Sequence, residues 1–238
     1  MKLALIGYGK MGKIIEEATL ERGHTISFRI DIDNLNDFNK LDPANTDVAI
    51  EFSQPGAAYD NIMACLRQRV AVISGTTGWL DKKDEIEKSC RELNGTFFYA
   101  SNYSIGVNIL FRVNEFLARI MDGYPAYEVG ITEIHHTEKK DAPSGTAISL
   151  AEGIVANLKR KNGWTGDDKE NPSKISIRSL REGKVPGTHF IKYRSDADEI
   201  ELKHEAFGRK GFAIGAVMVA EWIAGKRGIF SMKDFLDL

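Results

Sequence analysis

The sequence predicts an α/β fold: a parallel sheet flanked by helices, followed by a second domain of α+β type. Three observations carry this. From Lys2 to about Tyr99, short apolar runs alternate with amphipathic stretches, as repeated βα units require. A glycine cluster, Gly7 to Gly12, sits at the first strand-to-helix junction. After Asn102 the texture changes, and candidate strands follow one another without helices between them, which calls for an antiparallel or mixed sheet.

In the first region Leu3 to Ile6 reads as a strand, Lys10 to Arg22 as a helix, Thr25 to Ile30 and Val48 to Phe52 as strands. Pro55 opens a helix over Gly56 to Arg69, because its fixed φ suits a first helical turn. Val70 to Ser74 is a short buried strand, Leu80 to Leu93 a helix and Thr96 to Tyr99 a strand. In the second region an apolar helix over Val107 to Met121 leads into Tyr127 to His135, whose period-two alternation predicts a strand with one buried face. A loop with Pro143 and Gly145, a helix from Thr146 to about Arg160 and a polar stretch over Asn162 to Ser173 come next. Three strands follow, Lys174 to Leu180, Thr188 to Tyr193 and Glu199 to His204, and Gly211 to Gly225 closes as an apolar helix.

Composition narrows the function classes. The chain has 238 residues, 42% hydrophobic and 28% charged, enough for one large or two small domains. A net charge of -2, with Lys and Arg spread along the chain, argues against nucleic-acid binding. The opening Met-Lys-Leu-Ala-Leu-Ile is interrupted by Gly7 and is too short for a signal peptide, and the apolar run Gly211 to Ala220 stops at Glu221, too short to span a bilayer. A cytoplasmic protein with no membrane partner is expected. Cys65 and Cys90 form no paired motif and read as buried free thiols in helices.

Gly7-Tyr8-Gly9-Lys10-Met11-Gly12 follows a strand and opens a helix, the context that a Rossmann-type dinucleotide site requires. Gly7 allows the tight turn, Gly9 lets a pyrophosphate approach the backbone, and Gly12 permits close helix-to-strand packing, while the helix N-terminus offers free N–H groups. Asp31, at the end of the second strand, would accept from ribose hydroxyls and repel a 2'-phosphate, so NADH is favoured over NADPH, although Arg29 nearby leaves dual use open. Gly75-Thr76-Thr77 and Ser101-Asn102-Tyr103-Ser104 also follow strands, and so lie at the carboxyl edge where cofactors bind.

The chemistry is concentrated in His135-His136-Thr137-Glu138-Lys139-Lys140-Asp141-Ala142-Pro143-Ser144-Gly145-Thr146. Consecutive histidines at a strand end point to opposite faces, and no His or Cys spacing supports a metal. Ser144 or Thr146 can cap the helix that follows, and N–H groups around Gly145 and Thr146 would face an anion. Imidazole, ammonium and an anion site together suit a carboxylate-bearing substrate that must be protonated, and crowded cations make one lysine a better acid.

This segment, from Glu133-Ile134-His135-His136 through Lys139 to Asp141-Ala142-Pro143-Ser144-Gly145-Thr146-Ala147, closely resembles the signature of the 4-hydroxy-tetrahydrodipicolinate (dihydrodipicolinate) reductase family of lysine and diaminopimelate biosynthesis. Gly75-Thr76-Thr77, Ser101 to Ser104, Val185-Pro186-Gly187-Thr188, Gly225-Lys226 and Asp234 to Leu238 extend the resemblance in order along the chain. It implies reduction of a cyclic unsaturated imine dicarboxylate by NADH or NADPH, in a homotetramer joined through the second domain's sheet. By position His135 and Lys139 match the residues credited with proton donation. His136, Gly145 and Thr146 match substrate contacts, and Ser144 belongs to the same helix start. Gly7, Tyr8, Gly9, Lys10, Met11, Gly12, Asp31, Gly75 to Thr77 and Ser101 to Ser104 match the cofactor side. The resemblance also places the closing helix back on the nucleotide domain, so that 1–105 with 209–238 form one domain and 106–208 an inserted substrate-binding and tetramerisation domain. Two features depart from the family: the glycine turn is short, with Lys10 where Arg is common, and the Asp33 to Thr46 region is brief. The rival readings are an amino acid semialdehyde dehydrogenase, which gives no reason for the His-His-Lys cluster, and a Rossmann regulator, which would need a basic DNA-reading helix.

Overall fold

A computed structural model of the chain describes residues 1–166 and 171–237. The middle of the polar stretch expected over Asn162 to Ser173, and Leu238 of the closing motif, lie outside the described residues. The chain divides into two compact units, Met1–Ile105 with Arg209–Leu238, and Gly106–Gly208.

In the first unit β1 (Lys2–Ile6), β2 (Thr25–Ile30), β3 (Val48–Glu51), β4 (Ala71–Ser74), β5 (Thr96–Tyr99) and β11 (Gly228–Phe230) form one parallel sheet in the order β11-β5-β4-β3-β1-β2. β3 and β4 are buried at every position, the pattern of strands covered on both faces. Alternation along β1 separates two core layers. Leu3 and Leu5 join Ile50, Ile73 and Val217, whereas Ala4 and Ile6 join Ile62, Val72 and Trp79. The helices are α1 (Lys10–Glu21), α2 (Pro55–Arg67), α3 (Lys83–Glu92), α6 (Lys210–Ile223) and α7 (Met232–Leu236). α6 packs against α1, and Cys65 and Cys90 are buried free thiols in α2 and α3. The helix expected from Leu80 begins instead as a 3-10 turn, Leu80–Lys82, and Ile32–Lys40 forms a second 3-10 segment. β1 lies between β2 and β3, so the chain reverses its direction of winding at the β1/β3 junction, where open α/β sheets hold ligands.

The second unit begins with α4 (Ile105–Met121), then β6 (Glu128–His135), α5 (Gly145–Val155), β7 (Trp164–Thr165), β8 (Ile175–Arg181), β9 (Gly187–Arg194) and β10 (Glu199–Ala206). The sheet order is β10-β9-β6-β8-β7, antiparallel on the β9 side of β6 and parallel on the β8 side, hence mixed. α5 stops well short of Arg160. Its Leu150, Ala151 and Ile154 pack with Ile131, Ile177, Ile191 and Tyr193. On β6 every second residue is buried: Val129, Ile131, Glu133, His135. An apolar row thus ends in a carboxylate and an imidazole.

Candidate active site

The carboxyl edge of the first unit's sheet is shaped by close backbone approach. Gly7 has φ +85°, and a Cβ there would lie 2.2 Å from the Phe52 carbonyl oxygen; a Cβ on Gly12 would lie 2.3 Å from that of Gly7. Gly9 caps α1 in an extended conformation without a capping side chain, leaving the first-turn amides open to an anion. A cavity of ≈ 320 Å³ is lined by Gly9 to Met11, Phe52 to Pro55 and Gly75 to Thr77. An exposed helix N-terminus beside a cavity at the sheet's reversal point fits a dinucleotide's pyrophosphate.

Asp31 is set against this turn. Its Oδ2 accepts from the Tyr8 N–H at 3.1 Å and its Oδ1 from the Ile32 N–H at 2.9 Å. Arg29 is engaged elsewhere: its guanidinium pairs with Glu16, which also accepts from the Tyr8 hydroxyl, and it lies 5.8 Å from the Tyr8 ring centroid. Hydrogen bonding from Arg29 holds the Glu16 carboxyl below its usual range.

Two of the expected cofactor contacts turn inward. Thr76 is buried, and its hydroxyl donates to Glu51 at 2.9 Å and so is engaged within the protein. Tyr103 is 1% exposed, donates to the Ser74 carbonyl at 2.9 Å and packs on Phe52 and Phe98, a core role rather than an offered side chain. Ser101 to Ser104 do not line the cavity. Glu51, which the sequence reading missed, is fully buried and accepts from the Ser53 N–H and hydroxyl, Ser74 and Thr76, fastening the loops after β3 and β4 to each other. Its signal was a charged residue closing an otherwise apolar strand.

In the second unit the segment after β6 is assembled around Glu133. This fully buried carboxylate accepts from the Ser144 N–H at 3.1 and 3.2 Å and lies 3.4 Å from Arg181, 3.4 Å from His135 Nδ1 and 3.8 Å from His189 Nε2. Burial pushes its pKa up, but hydrogen bonds from Ser144 and the charge of His135 outweigh that and hold it below the usual carboxylate range. Burial pulls His135 below the ordinary imidazole value, with Glu133 opposing. His189 is brought down to about 4 by burial, reinforced by His135, and is neutral near pH 7; its ring stands T-shaped to that of His135 at 5.2 Å. Glu133, His135 and His189 each bring a ligand-type atom within 4.8 Å of one another. The Arg181 guanidinium already supplies the cation beside Glu133, which disfavours a metal there.

The remaining residues fall out by role. His136 is half-buried on the face opposite His135, as strand alternation requires. The Lys139 ammonium has an anionic partner that the expectation of crowded cations did not include: it is bound by both Asp141 oxygens, at 2.8 and 2.7 Å. Arg181 donates to the carbonyls of Lys139 and Asp141 and so grips that loop. Ser144, expected as an open contact, is buried: its hydroxyl accepts from the Ala147 N–H and lies 3.3 Å from His189. Among the described residues the N–H groups of Gly145 and Thr146 carry no internal acceptor, and nothing stands within 4 Å of where a Gly145 Cβ would be. Arg181 and His189 escaped the sequence reading, although His189 directly follows the Gly187-Thr188 pair singled out there.

A Rossmann-type sheet with an open glycine turn, joined in one chain to a mixed sheet bearing a His/Lys cluster and a helix start whose Gly145 and Thr146 N–H groups are open, defines a nicotinamide-dependent oxidoreductase. Residues 1–103 match Dihydrodipicolinate reductase, N-terminus, and residues 106–236 match Dihydrodipicolinate reductase, C-terminus. The chain belongs to the dihydrodipicolinate reductase family. It is 47% identical over 241 residues to the 4-hydroxy-tetrahydrodipicolinate reductase of Christiangramia forsetii, covering 100% of this chain and 98% of the relative. It is 31% identical to that of Neisseria gonorrhoeae, again covering 100% and 98%. Among solved structures, the dipicolinate-bound dihydrodipicolinate reductase from Paenisporosarcina sp. TG-14 superposes with a TM-score of 0.76 at 21% identity, over 97% of both chains, which shows the shared fold.

Proposed function

We propose that this chain reduces 4-hydroxy-tetrahydrodipicolinate to tetrahydrodipicolinate with NAD(P)H, His135 supplying the proton and the start of α5 holding a substrate carboxylate. The observation that carries this reading is the juxtaposition of His135 with Glu133 and of Glu133 with Ser144, inside a chain that matches the reductase family in both halves. Bound NAD(P)H supplies the hydride that reduces the conjugated ring. Gly9, Lys10, Met11 and the Gly75 to Thr77 loop would hold the cofactor, with Asp31 on the adenosine ribose. The Arg29 charge is matched by Glu16, which supports a preference for NADH.

On the substrate side the N–H groups of Gly145 and Thr146, with the dipole of α5, bind one carboxylate, and Lys139 and His136 meet the other. Binding an anion beside Lys139 competes with Asp141 for the ammonium. His135 protonates the reduced ring, and a carboxylate behind an imidazole fixes its orientation and stabilises its charged form. We further propose a cytoplasmic homotetramer joined through the second unit's sheet. Exposed Ile200 and Phe207, on and just after its outer strand, support that assembly. No helix among the described residues is long and apolar enough to cross a membrane.

The test is turnover: freshly generated 4-hydroxy-tetrahydrodipicolinate is supplied by a coupling enzyme and loss of NADH is followed. Substrate-dependent NADH loss is expected, and none from folded protein refutes the reading.

A further inference from the structure

We propose that Glu133 is a positioning residue: a single buried carboxylate that fixes the imidazole of His135 and the backbone N–H of Ser144 before substrate arrives. The inference rests on the reading that His135 is the proton donor. Burying a carboxylate is costly unless it is paired and hydrogen-bonded, so an ionised Glu133 on the same strand face as Val129 and Ile131 requires compensation. Its partners provide it, and they are the two ends of the active segment. His135 begins the loop that carries Lys139, and Ser144 ends it as the N-cap of α5. Both are held by Glu133, at 3.4 Å to Nδ1 and 3.1 Å to the N–H. Arg181 lies on the same carboxylate and grips the middle of the loop through two carbonyls. The loop is thereby closed onto one buried charge, and its proton donor and carboxylate anchor have a common reference point. His135 Nδ1 has no hydrogen-bond partner among the described residues, and the Glu133 carboxylate stands 3.4 Å from it, so Glu133 acts on the ring through its charge at ion-pair distance rather than through a hydrogen bond in this state. The other charged or titratable groups facing His135 are Lys139 and Asp141 from the loop, Arg181 from β8 and His189 from β9.

Glu133→Gln removes the charge and leaves an oxygen for the Ser144 N–H. Losing an anion beside an imidazole disfavours the imidazolium, so His135, followed by NMR of its ring, is expected to titrate about one pH unit lower. The falling limb of kcat against pH should move down with it. The affinity for dipicolinate, a planar dicarboxylate probe, should stay within about threefold, because the helix start keeps its acceptor. A merely structural Glu133 would lower activity without moving the limb. An unmoved His135 titration in folded E133Q overturns the proposal by itself. A titration that moves while the limb stays overturns it through its premise, that His135 is the donor. If E133Q does not fold, Glu133→Asp retains the charge but withdraws it by one methylene, and kcat is expected to fall about tenfold; an E133D enzyme equal to the parent overturns the proposal equally.

Discussion

Replacing Asp31 with Asn tests how the first unit chooses its cofactor. The carboxylate is held in place at the end of β2 by the Tyr8 N–H on Oδ2 and the Ile32 N–H on Oδ1; Asn keeps an acceptor for one of them only, a loss in this exposed turn that weighs on both cofactors alike and so cancels in their ratio. What is lost is a negative charge where a 2'-phosphate would lie. Two unit charges at ~4 Å repel by about 1 kcal/mol in water and about 4 kcal/mol in the partly screened environment of a protein surface. Asp31 is exposed, which places the effect near the lower end, at roughly 1–2 kcal/mol or about a 5- to 30-fold change in discrimination. The assay is kcat/KM for NADH and for NADPH under identical salt. The expected result is that D31N raises the NADPH-to-NADH ratio by that factor, chiefly through KM for NADPH. A ratio unchanged within twofold would refute the electrostatic argument and move the choice to other groups.

Three further outcomes are expected. His135→Gln should lower kcat by roughly 100-fold or more while KM changes little; an effect on KM alone would make His135 a binder rather than an acid. Gly145→Pro removes one of the two open N–H groups while placing proline at the first position of α5, where it suits the helix. Dipicolinate binding should weaken about tenfold with little change in Tm, read by calorimetry. Glu221, hydrogen-bonded by Arg22 and His24, has its carboxyl lowered from 4.5 to about 2. A depressed acid stabilises above its unfolded pKa, and that contribution disappears as pH falls from 4.5 towards 2. Because the pair is partly exposed, it amounts to about 1 kcal/mol, so E221Q should lower Tm by a few degrees at pH 7 and by nothing near pH 2.

The sequence reading recovers those parts of the fold that depend on local periodicity. β6 is legible because its alternation runs unbroken from Val129 to His135, and α1 because Gly9 and Gly12 bracket its start. β7, two residues long, and β11, three residues long, carry no periodicity, and they exist as strands only through pairing with β8 and β5. The site divides in the same way. His135, Lys139 and Gly145 are contiguous and form a motif, whereas Arg181 and His189 reach Glu133 from β8 and β9 through pairings no short window contains. Glu133 itself lies in the motif, and its place on the buried face follows from the alternation. That a buried carboxylate there stays ionised follows only from Arg181 and the Ser144 N–H. Ser144, Thr76 and Tyr103 show the converse: residue type suggested an outward contact, and packing turned each one inward.

The interruption of the first unit between Ile105 and Arg209 has a consequence for how the chain is made. Gly106–Gly208 is continuous and holds its own core, so it can fold as soon as it leaves the ribosome. The nucleotide unit emerges first yet must wait. Ala213, Ala216, Val217 and Ala220 of α6 complete the core layer that Leu3 and Leu5 begin, and β11 covers the edge of β5. Until those residues appear, β5 is an open strand edge beside an exposed apolar face. The half translated first is thus the half finished last, and its incomplete form is the stage of biogenesis most exposed to aggregation.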